Sequence, residues 1–194
     1  MIENSRRIDT RIAGLFCFLF VFLYPLQSRE APKQVFSVNI QNHYIYTSAT
    51  FVLDNADELI NNLKSGFRAE ITFQFRLYEK QSGLLSFLGN RLIKEIKITK
   101  SAWYDIFEGA YVIESKGLEV GRFKKKDNFL TNFLSINYRK LIIDSKCRKG
   151  SCILMGRVYF VPIKLIAPLN LVRVFTPLGS TTTEWQEIQL EKLK

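Results

Sequence analysis

The chain has 194 residues, 47% of them hydrophobic, and its 28 Lys and Arg against 18 Asp and Glu give a formal net charge of +10. That length suits one domain, and the apolar content excludes a disordered, collagen-like or low-complexity protein. A basic excess of this size is the electrostatic footprint of nucleic-acid, membrane or polyanion binding, so where the charges lie matters more than their sum.

The first 28 residues hold the longest apolar run and only three of the basic residues. Arg6, Arg7 and Arg11 precede the charge-free stretch Ile12–Leu26 (IAGLFCFLFVFLYPL). A basic flank before an apolar run leaves the downstream chain outside the cytoplasm and argues against a buried core helix. Fifteen helical residues span roughly 22 Å, short of the ~30 Å hydrocarbon core, as in a signal peptide. No small-x-small cleavage box follows, however, and Leu26-Gln27-Ser28 puts a large residue where a small one belongs. The same residues therefore fit an uncleaved N-terminal membrane anchor equally well. Cys17 has no small-residue box before it, which speaks against lipidation there. The expected organisation is a signal peptide or anchor over residues 1–32 and a single extracytoplasmic β-rich domain over 33–194.

Beyond residue 28 the chain keeps 25 basic and 16 acidic residues, and its only cysteines there are Cys147 and Cys152, in KCRKGSC. In an oxidising compartment two cysteines across a Gly-containing loop can close a small disulfide; the alternative is a pair of free thiols. Zinc is a poor reading, because the domain offers only two Cys and His43 as soft or imidazole ligands.

In chain order, Val35, Phe36, Val38 and Ile40 open a first strand, and 44–53 forms a second after a turn at Gln41-Asn42-His43. A short helix follows, with Asn55 as N-cap, Glu58 completing a capping-box-like start, and Gly66 as the stop. Residues 68–78 are the clearest strand. Ala69, Ile71, Phe73, Phe75 and Leu77 alternate with Arg68, Glu70, Thr72, Gln74 and Arg76, which predicts one buried and one wet face in an antiparallel sheet. A second such strand is expected over 94–107, with Ile96, Ile98, Ala102, Tyr104 and Ile106 in phase, and 110–115 as its hairpin partner beyond Gly109. Residues 116–127 read as a polar, basic connection. From Asp127 to about Asp144 the spacing of Leu130, Phe133, Leu134, Tyr138, Leu141 and Ile142 predicts a longer helix. The near-continuous apolar run 152–163 predicts a central strand, with Pro162 ending regular pairing. A weak element at 170–175, a Gly-Ser-Thr turn and a strand at 183–190 carrying Trp185 complete the chain. About seven strands with two inserted helices define an α+β, mainly β fold, an antiparallel β-sandwich-like domain.

Catalytic templates fail on inspection: there is no G-x-S-x-G, Walker A, H-E-x-x-H or G-x-G-x-x-G after a strand. His43 sits in an expected turn, where a solvated role is far commoner than that of a base. Asp105 and Glu108 could be proposed as paired carboxylates, but exposed turn carboxylates are the default. Two basic clusters stand out, Arg122-Phe-Lys124-Lys125-Lys126 and Lys146-Cys-Arg148-Lys149, expected at the two ends of the longer helix and roughly 25 Å apart. The first is a candidate contact with an anionic surface; solvated charge is its plainer reading. Fragments such as GRVYFVPI brush against an RNA-binding sheet motif without its register, and export argues against nucleic acid. The segment Gly83–Gly89 places Leu84, Leu85, Phe87 and Leu88 between strands where a polar turn is expected. It reads as a flap over the core or as an apolar contact loop.

Together, TFVLDNADELINNLKSG, the strand through Phe73–Tyr78, YDIFEGAYVI and a late Ser/Thr-rich turn before Trp185 resemble a bacterial family, domain of unknown function 4390, over about residues 35–190. The resemblance implies an exported or singly anchored envelope protein, and no activity, cofactor or catalytic residue. Against that pattern the basic 122–126 segment and the CRKGSC pair are local features. The expected function is a non-enzymatic envelope module that binds a partner protein or the anionic membrane surface, without cofactor. The alternative is a carrier for a lipid or other apolar ligand held between the sheets.

Overall fold

The computed structural model describes residues 33–41, 44–81, 87, 89–142, 152–164 and 179–190. Among them, ten strands and two helices follow in order: β1 (Gln34–Gln41), β2 (Tyr44–Phe51), α1 (Ala56–Lys64), β3 (Arg68–Glu79), β4 (Arg91–Asp105), β5 (Ala110–Ser115), β6 (Leu118–Phe123), α2 (Lys126–Leu134), β7 (Ser135–Ile142), β8 (Cys152–Lys164), β9 (Thr181–Thr182) and β10 (Gln186–Leu190). Every pairing is antiparallel. Three strands form one sheet in the order β1-β2-β7, and seven form the other, β10-β8-β3-β4-β5-β6 with β9 also on β8. The result is the mainly β, sandwich-like α+β fold that the alternation predicts. The apolar run 12–26 and His43 lie outside the described residues. No described helix is long and apolar enough to cross a membrane.

The core sits on one face of the larger sheet. Ala69, Ile71, Phe73, Phe75 and Leu77 of β3 are all at most 2% exposed, as their alternation requires. Small-sheet residues Phe36, Ile45, Ala49 and Phe51 pack over the same core as Leu154, Val158 and Phe160 of β8. Ring contacts tie the layers: Phe36 stacks on Phe75 at 5.6 Å and Phe51 tilts against Phe160 at 5.2 Å. Helix α1 adds Leu59, Ile60 and Leu63, and its start matches expectation, with the Asn55 side chain accepting the Glu58 N–H at 3.1 Å. Helix α2 adds Phe129 and Phe133, continuing an aromatic row through Tyr111 and Tyr104.

Three expectations are overturned. The longer helix stops at Leu134, and Ser135–Ile142 is a strand on the open side of β2. Helical spacing of apolar residues competes here with the backbone groups of β2, which need a second partner. A lysine from the facing sheet marks the switch: Lys100 Nζ donates to the carbonyls of Asn132 and Ser135 at 2.6 and 2.5 Å, satisfying the last turn. With the helix shortened, the first basic cluster still leads into it, Lys125 as its N-cap and Lys126 as its first residue, but the helix ends twelve residues before Lys146; Lys146, Arg148 and Lys149 lie outside the described residues. The second correction is at 116–127, where β6 replaces a plain connection. Lys116 (φ 55°) and Gly117 (φ 77°) both occupy the left-handed region, a two-residue turn that returns the chain onto β5. Third, Ile106 leaves the buried phase of β4 and is 71% exposed, because the strand ends at Asp105.

One other reading agrees with the structure and one holds in part. Strand β8 is flanked by β3 and β10, and its pairing with β3 becomes irregular between Val161 and Lys164, around Pro162. The strand expected over 183–190 forms only from Gln186 to Leu190; an interruption at 183–185, which includes Trp185, separates β9 from β10.

That interruption carries a buried polar junction between the layers. Gln34 of β1 donates through Nε2 to the carbonyls of Gly156 (3.2 Å) and Glu184 (2.9 Å). Its Oε1 accepts from Thr183 Oγ1 at 2.9 Å, and that hydroxyl oxygen in turn accepts the Val158 N–H at 2.8 Å. Gln186 Nε2 donates to the Gln34 carbonyl at 3.0 Å. Beside this junction Gly156 lies under the Phe36 ring, where an added Cβ would meet ring carbons at 3.2 Å.

Two stability outcomes follow from this packing. Replacing Gln34 by Leu removes the acceptor of the Thr183 hydroxyl and the side-chain donor to the Gly156 and Glu184 carbonyls, and should lower unfolding free energy by about 1–3 kcal/mol in urea titration. Gly156→Val should cost about 1–3 kcal/mol by overpacking, and Phe36→Ala in the same chain should recover part of that loss.

Candidate functional site

Two surface regions gather side chains that the core does not use. The first is the end of the larger sheet where β4 turns into β5. Asp105 Oδ1 accepts the backbone N–H groups of Phe107 (3.0 Å) and Glu108 (3.2 Å), which fixes the turn 105–109. Gly109 (φ 61°) supplies the left-handed position that closes it. The tip therefore holds Ile106 and Phe107 outward, at 71% and 102% exposure.

Arg122 of β6 reaches across to the same turn. It donates to Asp105 at 3.1 Å, to Glu108 at 2.5 Å and, through Nε, to Glu119 at 2.9 Å. Its guanidinium pKa is pushed up by those carboxylates, Glu119 first. The Asp105 carboxyl is held below its ordinary value, chiefly by the Glu108 N–H and then by Arg122. Asp105 and Glu108 thus share one cation; they do not face a pocket as an acid/base pair.

The four basic residues singled out from sequence take separate parts. Arg122 is a structural link for the turn. Lys126 at the start of α2 bonds Asp57 of α1, which raises its pKa. Lys124 and Lys125 are exposed and make no ion pair among the described residues. They follow Phe123, which pairs with Tyr111, so they adjoin the sheet end that carries the 105–109 turn. Of the apolar loop, Phe87 is 81% exposed, while Leu84, Leu85 and Leu88 lie outside the described residues. Cys152 is buried at the start of β8 and disulfide-bonded; the chain's other cysteines, Cys17 and Cys147, lie outside the described residues.

The second region is the outer face of the larger sheet, the face expected to be merely wet. There Arg68 lies over the Trp103 ring at 4.7 Å, and Trp103 stands opposite Val112, which it helps to bury. About two-thirds of the way along β3, Trp185 lies under Arg76 (4.8 Å) and Arg157 (4.4 Å). Arg157 Nε donates to Gln74 Oε1 at 2.7 Å, Gln74 donates to Glu95, and Arg76 donates to Glu95 at 2.9 Å. Both Arg76 and Gln74 hold the Glu95 carboxyl below its ordinary pKa, Arg76 more strongly. Among the described residues no group of three His, Cys, Asp or Glu could hold a metal ion.

Sequence reading missed the exposed tip because Ile106 continues the apolar phase of β4. The signal that could have found it is Asp105 followed four residues later by Gly109, a turn pattern. The indole–guanidinium pairs had no such signal, since each joins residues 28 or more positions apart.

These features belong to an open antiparallel β-sandwich with two covering helices. No protein-family model matches the chain, and no curated protein or solved structure matches it. The likeness to domain of unknown function 4390 therefore rests on the quoted residues alone.

A depressed folded-state pKa means that Asp105 stabilises the turn above the ordinary Asp value and loses that contribution as pH falls through its lower folded value. Arg122→Gln should move the Asp105 midpoint part of the way back up, because the two backbone N–H bonds remain. Carboxyl NMR titration checks both the low midpoint and its shift.

Proposed function

We propose that this chain is a non-enzymatic extracytoplasmic module, exported or anchored by residues 1–32, whose β-sandwich docks on the anionic membrane surface of the cell envelope. The observation that carries the reading is the pair Ile106 and Phe107, held fully outward on a turn fixed by Asp105 and Arg122. Adjacent apolar side chains on a rigid turn lose nothing in water only if another surface removes them from it. Lys124 and Lys125, without ion pairs among the described residues, supply the complementary charge beside that tip. The alternative of a carrier draws less support, because aromatic rings such as Phe36, Phe51, Phe75 and Phe160 occupy the space between the layers.

The test places an environment-sensitive fluorescent amino acid at position 107 of the full chain, reconstituted in vesicles. With phosphatidylglycerol present, emission should shift to the blue and be quenched by lipids labelled in the acyl chain; pure phosphatidylcholine should give less of both. Lys124→Gln and Lys125→Gln should each weaken the anionic-lipid preference roughly fivefold, from about 1 kcal/mol per lysine near the surface. A probe that stays water-exposed in both vesicle types sinks the reading.

A further inference from the structure

The outer face of the seven-stranded sheet carries two guanidinium groups that make no ion pair among the described residues. Arg68 rests on Trp103 and makes no ion pair among the described residues. Arg157 rests on Trp185, and only its Nε is engaged, by Gln74. Their neighbours are different: Arg76 is bonded to Glu95, Lys164 to Glu70 and Arg91 to Glu79. A guanidinium laid on an indole gives up little hydration and keeps its terminal N–H fork for a carboxylate.

Register sets the distance between the two. Arg157 stands opposite Gln74, six residues along β3 from Arg68, which is roughly 20 Å at about 3.3 Å per residue. Between them the outer face carries Glu70, paired with Lys164, and then hydroxyls: Thr72 and Thr99, bonded to each other at 2.9 Å, and Tyr159 opposite Thr72, 37% exposed. An acyl bilayer would meet hydroxyls and ion pairs on this strip. A chain of hydroxyl-bearing units with acidic groups would meet donors and acceptors along its length and a fork at each end.

The geometry points to a binding site for a linear acidic polysaccharide, laid along β3 and β8 and held by Arg68 and Arg157 at its two ends. This site is separate from the membrane-docking turn, and the two readings stand or fall independently. Each arginine contributes a bidentate carboxylate contact, and the chain between them contributes hydroxyl bonds and the excluded water over the indoles.

Galacturonate oligomers of graded length are the probe, titrated against the full chain in non-ionic detergent while the fluorescence of Trp103 and Trp185 is followed. Affinity should rise with oligomer length until the chain spans both arginines, then level off. Arg68→Gln and Arg157→Gln should each lower the long-oligomer affinity about tenfold, one charge-assisted bond's worth, and flatten the length dependence. Arg157→Lys keeps the charge without the fork and should recover only part of it. Lys64→Gln on α1, an equal loss of charge elsewhere, should leave affinity unchanged, as should Phe107→Ser in the docking turn. Circular dichroism shows whether each variant folds. The site is overturned if monomeric galacturonate binds as tightly as the long chain, if neutral dextran binds equally well, if Lys64→Gln weakens binding as much as the arginine variants, or if anionic vesicles displace the oligomer.

Discussion

The hydrogen bonds around Gln34 and Thr183 join elements from the two ends of the chain. Gln34 begins the smaller sheet, Gly156 and Val158 belong to the central strand of the larger one, and Thr183 sits in the gap between β9 and β10. A polar pair this buried is tolerable only when every donor and acceptor has a partner, and here each has one. The junction therefore sets how the small sheet lies on β8. Phe36 then falls over Gly156 and Phe75, and Phe51 against Phe160.

The same three-residue gap serves both faces of the larger sheet. Thr183 turns inward to Gln34, and Trp185 turns outward under Arg76 and Arg157. A regular strand would put these two residues, two positions apart, on the same face, and would spend its backbone groups on β8 throughout. Leaving the ladder frees the Glu184 carbonyl for the Gln34 side chain. Inner packing and outer cation–π contacts are thus coupled through one short segment, and a change at Trp185 would be felt at the sheet junction.

Charge in this protein is largely consumed by structure. Arg122 holds three carboxylates, Lys126 joins the two helices, and Lys100 ends α2 from the opposite layer. Most of these pairs are at the surface, where each adds little to stability, yet they decide geometry. Among the described cations outside these ion pairs, two sets have distinctive neighbours: Lys124 and Lys125 beside an apolar turn, and Arg68 and Arg157 on indole rings. A net charge read from composition could not separate the spent cations from the available ones.

Alternation in residues 68–78 predicted β3 and its buried face, and Asn55, Glu58 and Gly66 predicted α1 nearly to the residue, because both signals are local. The apolar run 152–163 likewise marked a central strand. By contrast, the residues after Leu134 carry helical spacing but form β7, since the unsatisfied edge of β2 and the Lys100 side chain lie more than thirty residues away in sequence. The Lys116-Gly117 turn escaped notice because lysine rarely adopts positive φ. Candidate surfaces followed the same division. Lys124 and Lys125 were legible as a basic run, whereas their separation from Arg122 and Lys126 depended on Asp57, Asp105, Glu108 and Glu119.

By itself, the sequence determined a mainly β domain and a basic-flanked apolar run before it, because period-two burial and a charge-free run are written in neighbouring residues. Only the tertiary structure decided which strands share a sheet, where α2 stops and which of the described cations are ion-paired. Those outcomes depend on hydrogen bonds and ion pairs between residues far apart in the chain, and no local pattern encodes them.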